Sequence, residues 1–326
     1  MTVRTETRTI PAGPGAAEAA ARCLGDGGLV AFPTETVYGL GADATDAEAI
    51  ARLYLAKGRP SFNPLIAHVA DREAARHIAW FNADAEKLAA TFWPGPLTLV
   101  LPRTADCPVA ELATAGLKTI AVRVPAHAIA YAILSAFGKP VVAPSANVSG
   151  HVSPTTAQHV EADLAGKIDL IVDGGPANVG LESTIVGCFE RPLLLRPGGL
   201  ARAEIEAVLG THLGDLPHHD SATAQPLAPG MLASHYAPHL PVRLNATTLE
   251  PDEALLAFGT PAVAGVDKAV AVLNLSARGD LVQAAANLFG HLRELDRSGA
   301  SQIAVMPVPA DGLGEAINDR LRRAAV

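Results

Sequence analysis

Aromatic side chains are scarce, at 4% of 326 residues, and only three cysteines occur, Cys23, Cys107 and Cys188. They are widely separated and form no CxxC pair, which excludes a disulfide scaffold and a cysteine-based zinc or redox centre. All three read as small packing residues. The chain also lacks an excess of positive charge, its formal net charge being −8. Without a broad basic surface or stacking platforms, no stable nucleic-acid binding is expected, and any anion site must be local. Long hydrophobic runs are missing too. Residues 28–32 and 269–275 are of strand length, well short of the roughly 20 that span a bilayer, and the opening MTVRTETRTI has no apolar signal core. A globular protein of the cytoplasm, free of membrane, is the expectation. No Gly-x-x-x-x-Gly-Lys-Ser/Thr, Gly-x-Gly-x-x-Gly, HExxH or Gly-x-Ser-x-Gly string is present, so the common nucleotide, zincin and hydrolase signatures give no lead.

What is present is a chain that is 49% hydrophobic and 18% charged, ample for a packed core and long enough for one large and one small domain. From about residue 15 to 210, short Val-, Ile- and Leu-rich runs alternate with helical stretches, which reads as mixed α/β. Strands are predicted at 29–32, 65–69, 97–101, 120–124, 141–143, 170–172, 184–186 and 193–195. A helix over 46–56 has Thr45 and Glu48 at capping-box spacing, and another is expected after Ser153 with Pro154 in its first position. Residues 211–241 are rich in proline and histidine and read as a linker between a domain of residues 1–210 and one of residues 242–326. Prolines interrupt His218, His219, His235 and His239, so no protein-held metal is expected there. Beyond the linker, strands at 254–258, 269–275 and 302–306 alternate with helices over 280–296 and 314–323, the pattern of a small Rossmann-like parallel sheet.

Three segments carry polar and conformationally special residues where strands or helices end. FPTETVYGLG at 32–41 leaves a strand and packs hydroxyls and glycines at a turn. KGRP at 57–60, with NPL at 63–65, sets two cations and two prolines after a helix. PSANVSG at 144–150 supplies short donors after another strand. Arg123 lies within a buried apolar run, where a cation needs a partner or a ligand. His68 also sits in an apolar strand, where most histidines are merely satisfied core residues. Glu35 and Glu182 have no visible partner.

Together with ESTIV at 182–186 and LRPGG at 195–199, these strings resemble, in order and spacing, the YrdC/YwlC family of threonylcarbamoyl-AMP synthases. The resemblance covers about residues 15–210. Pro229-Gly230-Met231 and His235-Tyr236-Ala237-Pro238 are similar to the linker of the family's long members, which add a Rossmann-like domain. It implies a large twisted mixed sheet whose cationic cavity takes ATP with Mg2+, L-threonine and bicarbonate. By position it implies that Thr36, His68, Arg123, Ala143 and Ser183 contact threonine, with Arg123 forking its carboxylate. It likewise implies that Arg59, Asn63, Thr119, Ser145, Ser153 and Arg196 contact ATP, with Tyr236 reaching over the nucleotide as a lid. Lys57 and Arg59 are the expected catalytic cations, facing the phosphates or a carbamate. The product would pass to a tRNA threonylcarbamoyl transferase complex acting on the adenosine beside the anticodon. Two rivals differ in what they require. The carbamoyl-adenylate chemistry of hydrogenase maturation needs cysteine-rich zinc segments that are not visible in this sequence, and an RNA-binding module would favour a basic, aromatic surface.

Overall fold

The computed structural model describes residues 6–215, 228, 235–261 and 263–326. Eleven strands make one sheet: β1 (Arg8–Pro11), β2 (Val30–Pro33), β3 (Tyr38–Asp43), β4 (Ile66–His68), β5 (Leu97–Pro102), β6 (Thr119–Arg123), β7 (Val141–Val142), β8 (Leu170–Asp173), β9 (Thr184–Cys188), β10 (Pro192–Arg196) and β11 (Gly214–Asp215). Their order across the sheet is β1-β8-β2-β3-β7-β4-β6-β5-β9-β10-β11. Parallel pairings such as β4 with β6 mix with antiparallel ones such as β5 with β6, as the mixed α/β reading expected. Four further strands, β12 (Val242–Arg243), β13 (Glu253–Ala257), β14 (Val272–Asn274) and β15 (Gln302–Val305), pair wholly in parallel in the order β12-β15-β13-β14.

Alternation along β2 shows why the large sheet needs cover on both faces. Val30 and Phe32 join one apolar cluster with Ala16, Ala20 and Leu24, which recur every four residues along helix Ala16–Gly25. Leu29 and Ala31 enter another cluster with Ala49, Ile50 and Leu53 of helix Ala47–Lys57. That second helix is capped by Asp46, whose carboxylate accepts from the Glu48 and Ala49 amides, and not by Thr45. The Thr45 hydroxyl donates to Asp43 instead, at 2.7 Å. The helix expected after Ser153 starts later, at Ala157, where Thr156 supplies the cap that Pro154 cannot.

Residues 211–241 do not behave uniformly. Gly214 and Asp215 extend the large sheet as β11, and Ala237 bridges to His151. His218, His219 and Pro229-Gly230-Met231 lie outside the described residues. The core of the small sheet continues into the large domain, since Val37, Val152, Leu181 and Tyr236 share a cluster with Leu288, Phe289 and Leu292. Guanidinium groups cross the same seam. Arg293 forks onto Asp163 at 3.1 and 2.9 Å, and Arg202 reaches Glu315 at 2.8 Å. No helix among the described residues is long and apolar enough to cross a membrane.

Candidate active site

Strand pairing assembles the site. β4 and β6 run in register with His68 beside Arg123, and on the other flank of β4 the Ala143 amide donates to Ile66 O at 3.1 Å. Ser183 precedes β9 and Arg196 ends β10, two strands that pair antiparallel. Thr36 sits in the turn between β2 and β3, where the Thr34 hydroxyl donates to Val37 O at 2.6 Å and lies 2.8 Å from the Thr36 hydroxyl. Helix Ala47–Lys57 ends at Gly58 in a left-handed conformation (φ 60°), the usual glycine stop, which turns Arg59 back inward.

One cavity is lined by Thr36, Val37, Arg59, Ile66, His68, Arg123, Ala143, Pro144, Ser145, Glu182, Ser183, Arg196, His235 and Tyr236. Nine of the expected contact residues therefore meet there: Thr36, Arg59, His68, Arg123, Ala143, Ser145, Ser183, Arg196 and Tyr236. Lys57, Asn63, Thr119 and Ser153 do not line it. Lys57 is buried behind the 144–150 loop, and its three N–H donors are taken up by Ser145 O and Asn147 O, each at 2.5 Å, and Asn147 Oδ1 at 3.4 Å. It thus holds a loop and does not face the cavity. Thr119 shares a face of β6 with Arg123 but stands four residues along, roughly 13 Å at the rise of a strand. Ser153 is buried and donates to Glu182 Oε1. Asn63 is buried with both ends of its side-chain amide unpaired among the described residues, an arrangement that calls for a further partner.

The electrostatics are those of an anion site. Among the described residues Arg59 donates to carbonyls, Asn63 O at 3.4 Å and Pro64 O at 3.0 Å, and Arg196 to Ser183, at 2.8 Å to its carbonyl. Neither joins any ion pair among the described residues, although both are buried. Burial pushes the Arg59 guanidinium down to about 10 and lowers Arg196 as well, with Arg196 adding repulsion on Arg59. Burial likewise lowers Lys57 well below the usual lysine range, with Arg59 adding to it. Arg123 is shared: Nη2 reaches Glu35 Oε1 at 2.6 Å and Nε donates to Gly95 O at 3.3 Å. Glu35 Oε2 stays unpaired. His68 is pushed down to about 3 by burial and by Arg123 and is neutral. Its Nδ1 lies 3.2 Å from Ile66 O, and a carbonyl only accepts, so Nδ1 carries the hydrogen and Nε2 offers a lone pair.

Sequence reasoning missed Glu182, Glu35 and His235 as site residues. Glu182 binds Arg320 at 2.9 Å, across 138 residues, a pairing that no local pattern announces. His235 lies edge-on to Tyr236 with centroids 4.1 Å apart, and its Nδ1 is buried and unpaired. Tyr236 is itself buried at a left-handed φ of 66° with its hydroxyl unpaired among the described residues, seated between Phe289 and Arg320. Beneath it the cavity holds about 50 Å³, room for only a few waters at roughly 10–15 Å³ each.

Residues 22–198 match the Sua5/YciO/YrdC family model, described as "Telomere recombination", and residues 200–326 match "Threonylcarbamoyl-AMP synthase, C-terminal domain". A threonylcarbamoyl-AMP synthase of Bacillus subtilis is 42% identical, with 94% of this chain and 92% of the relative covered. One of Pyrococcus abyssi is 43% identical, covering 94% and 93%. The crystal structure of P. abyssi Sua5 complexed with L-threonine superposes with a TM-score of 0.88 at 40% identity over 98% of both chains.

Proposed function

The chain belongs to the threonylcarbamoyl-AMP synthase family, and on that premise we propose how its cavity turns L-threonine, bicarbonate and ATP into threonylcarbamoyl-AMP and pyrophosphate. The observation that carries the reading is the pair of buried guanidinium groups, Arg59 and Arg196, that form no ion pair with any carboxylate among the described residues, converging with Arg123 on one hollow. A triphosphate and an amino-acid carboxylate are the anions such a hollow would take.

The reaction divides into two balanced steps. The neutral amine of threonine adds to bicarbonate, giving a carbamate and water. A carbamate oxygen then attacks the α-phosphorus of ATP, and pyrophosphate leaves with the electrons of the broken P–O bond. Neither step needs a covalent bond to the protein, so alignment and charge stabilisation carry the rate, and alignment alone can supply about 7–11 kcal/mol. We assign Arg123, Thr36, Ser183 and the His68 Nε2 to threonine, with the Ala143 carbonyl beside them. Arg59, Arg196 and Ser145 are assigned to the phosphates. The unpaired amide of Asn63 and hydroxyl of Tyr236 would find partners on the nucleotide, and Thr119 would meet its far end along the face of β6. Ser153 would act through Glu182, and Lys57 by fixing the Ser145 and Asn147 carbonyls.

Among the described residues no group of three or more His, Cys, Asp or Glu could hold a metal ion. Magnesium would enter as a companion of the triphosphate, held through its phosphate oxygens. On this reading Tyr236, which closes over a hollow of about 50 Å³, swings out to admit the nucleotide and recloses around a mixed anhydride that water would destroy. The cytoplasm, where a tRNA threonylcarbamoyl transferase complex would consume the product, is the setting that goes with this reading. Pyrophosphate release from MgATP, measured with threonine and bicarbonate omitted in turn, tests it. Both omissions should abolish release; turnover indifferent to either one would reject the assignment.

A further inference from the structure

We infer that Arg320, on helix Gly314–Ala324 of the small domain, is a positioning residue that keeps Arg196 available to the nucleotide by holding Glu182 away from it. The inference rests on the assignment of Arg196 to ATP made above. Arg320 is fully buried. Its Nε donates to Glu182 Oε2 at 2.9 Å, its Nη2 to Pro197 O at 3.0 Å and its Nη1 to Asp319 Oδ2 at 2.5 Å. The flat of the same guanidinium lies 4.8 Å from the centre of the Tyr236 ring. One side chain from the small domain thus touches the segment that carries Ser183, the segment that carries Arg196, and the ring that roofs the cavity.

Charge accounting shows why this matters. Glu182 lines a cavity meant for anions, where a carboxylate is out of place unless a cation cancels it. Among the described residues Arg320 is the cation in direct contact with it, and Ser153 donates to its other oxygen. Burial would raise the Glu182 carboxyl, but Arg320, Arg196 and the Ser153 hydroxyl overcome that and hold it at about 2, so it is charged at neutral pH. With Arg320 gone, the cation left to take its place is Arg196, which already acts on Glu182 at a distance. Glu182 would then occupy the group that the phosphates need. Lysine cannot substitute fully, because a single ammonium cannot serve a carboxylate, a carbonyl and a ring face together.

The test is steady-state pyrophosphate release, with KM for ATP and for threonine measured separately on the full chain, alongside wild type as the control for the reaction itself. Arg320→Gln should raise KM for ATP on the order of tenfold, the size of one charge-assisted hydrogen bond diverted from the phosphates, and leave that for threonine within about threefold. The double variant Glu182→Gln with Arg320→Gln removes the competitor and should recover most of the loss, a coupling that a purely structural role would not produce. Equal KM values in Arg320→Gln and wild type, or a double variant no better than the single, would overturn the inference. Should Arg320→Gln fail to fold, Arg320→Lys serves: a raised KM for ATP supports the inference and a wild-type value refutes it. Failure of wild type to need threonine and bicarbonate would instead refute the underlying assignment.

Discussion

Replacing Arg123 by lysine isolates the planar fork from the charge. In the structure Arg123 spends one N–H on Glu35 and one on Gly95 O. A guanidinium has five, so up to three remain for an incoming carboxylate. Lysine at 123 can keep the ion pair with Glu35 but then has one compact charge to divide between that carboxylate and the substrate. The loss amounts to one charge-assisted hydrogen bond, about 1.5–3 kcal/mol. At 1.4 kcal/mol per factor of ten, KM for threonine should rise roughly 10- to 150-fold while KM for ATP changes little. Arg123→Ala, by contrast, strands Glu35, one of whose oxygens is already unpaired, and should cost about 3–5 kcal/mol of folding stability besides. Pyrophosphate release against threonine concentration reads the first effect, and denaturant unfolding reads the second. A threonine KM in Arg123→Lys within twofold of wild type would refute the carboxylate assignment.

Two further expectations concern stability. Because burial and Arg123 hold His68 at about 3 against an ordinary 6.5, the unfolded chain takes up a proton there that the folded chain refuses. Stability should therefore be lost as the pH falls from 6.5 toward 3, at up to about 1.4 kcal/mol per pH unit, and His68→Gln should flatten that slope in urea titrations at pH 7 and pH 5. An identical slope in both proteins would contradict a neutral, buried His68. At Gly180 (φ +75°) an added Cβ would lie 2.5 Å from Ala285 O and Ala286 Cα of helix Leu281–Leu295. Gly180→Ala should destabilise by at least 2 kcal/mol, roughly the upper cost of a left-handed alanine before any clash is counted, and unfolding midpoints equal to wild type would exclude so close a seat.

The strands that fill the sheet interior were legible because their apolar runs are local facts. Residues 97–101 and 170–172 were found within a residue of β5 and β8. The sequence puts a turn where β3 runs, since Gly39 and Gly41 resemble turn residues, yet Gly41 is needed because a Cβ there would come within 2.8 Å of Phe32 on the paired strand. β1 escaped notice because as an exposed edge strand, RTIP, it carries no apolar alternation. The motif strings led to nine side chains of one cavity, whereas the partners of those side chains could not be read, being distant in sequence. Arg320 did leave a trace: it falls three residues after Ile317 and four after Ala316, on the apolar stripe of its helix, where a solvated arginine would not sit.

Arginines cross the seam between the two sheets in both directions, and separating the halves would orphan a carboxylate for each. Asp163 and Glu182 would remain on the large sheet and Glu315 on the small one. Of these, Glu182 is the one that lines the cavity. A fragment confined to the large sheet would therefore carry there a buried carboxylate that has lost the cation in contact with it, the costliest residue of the cut.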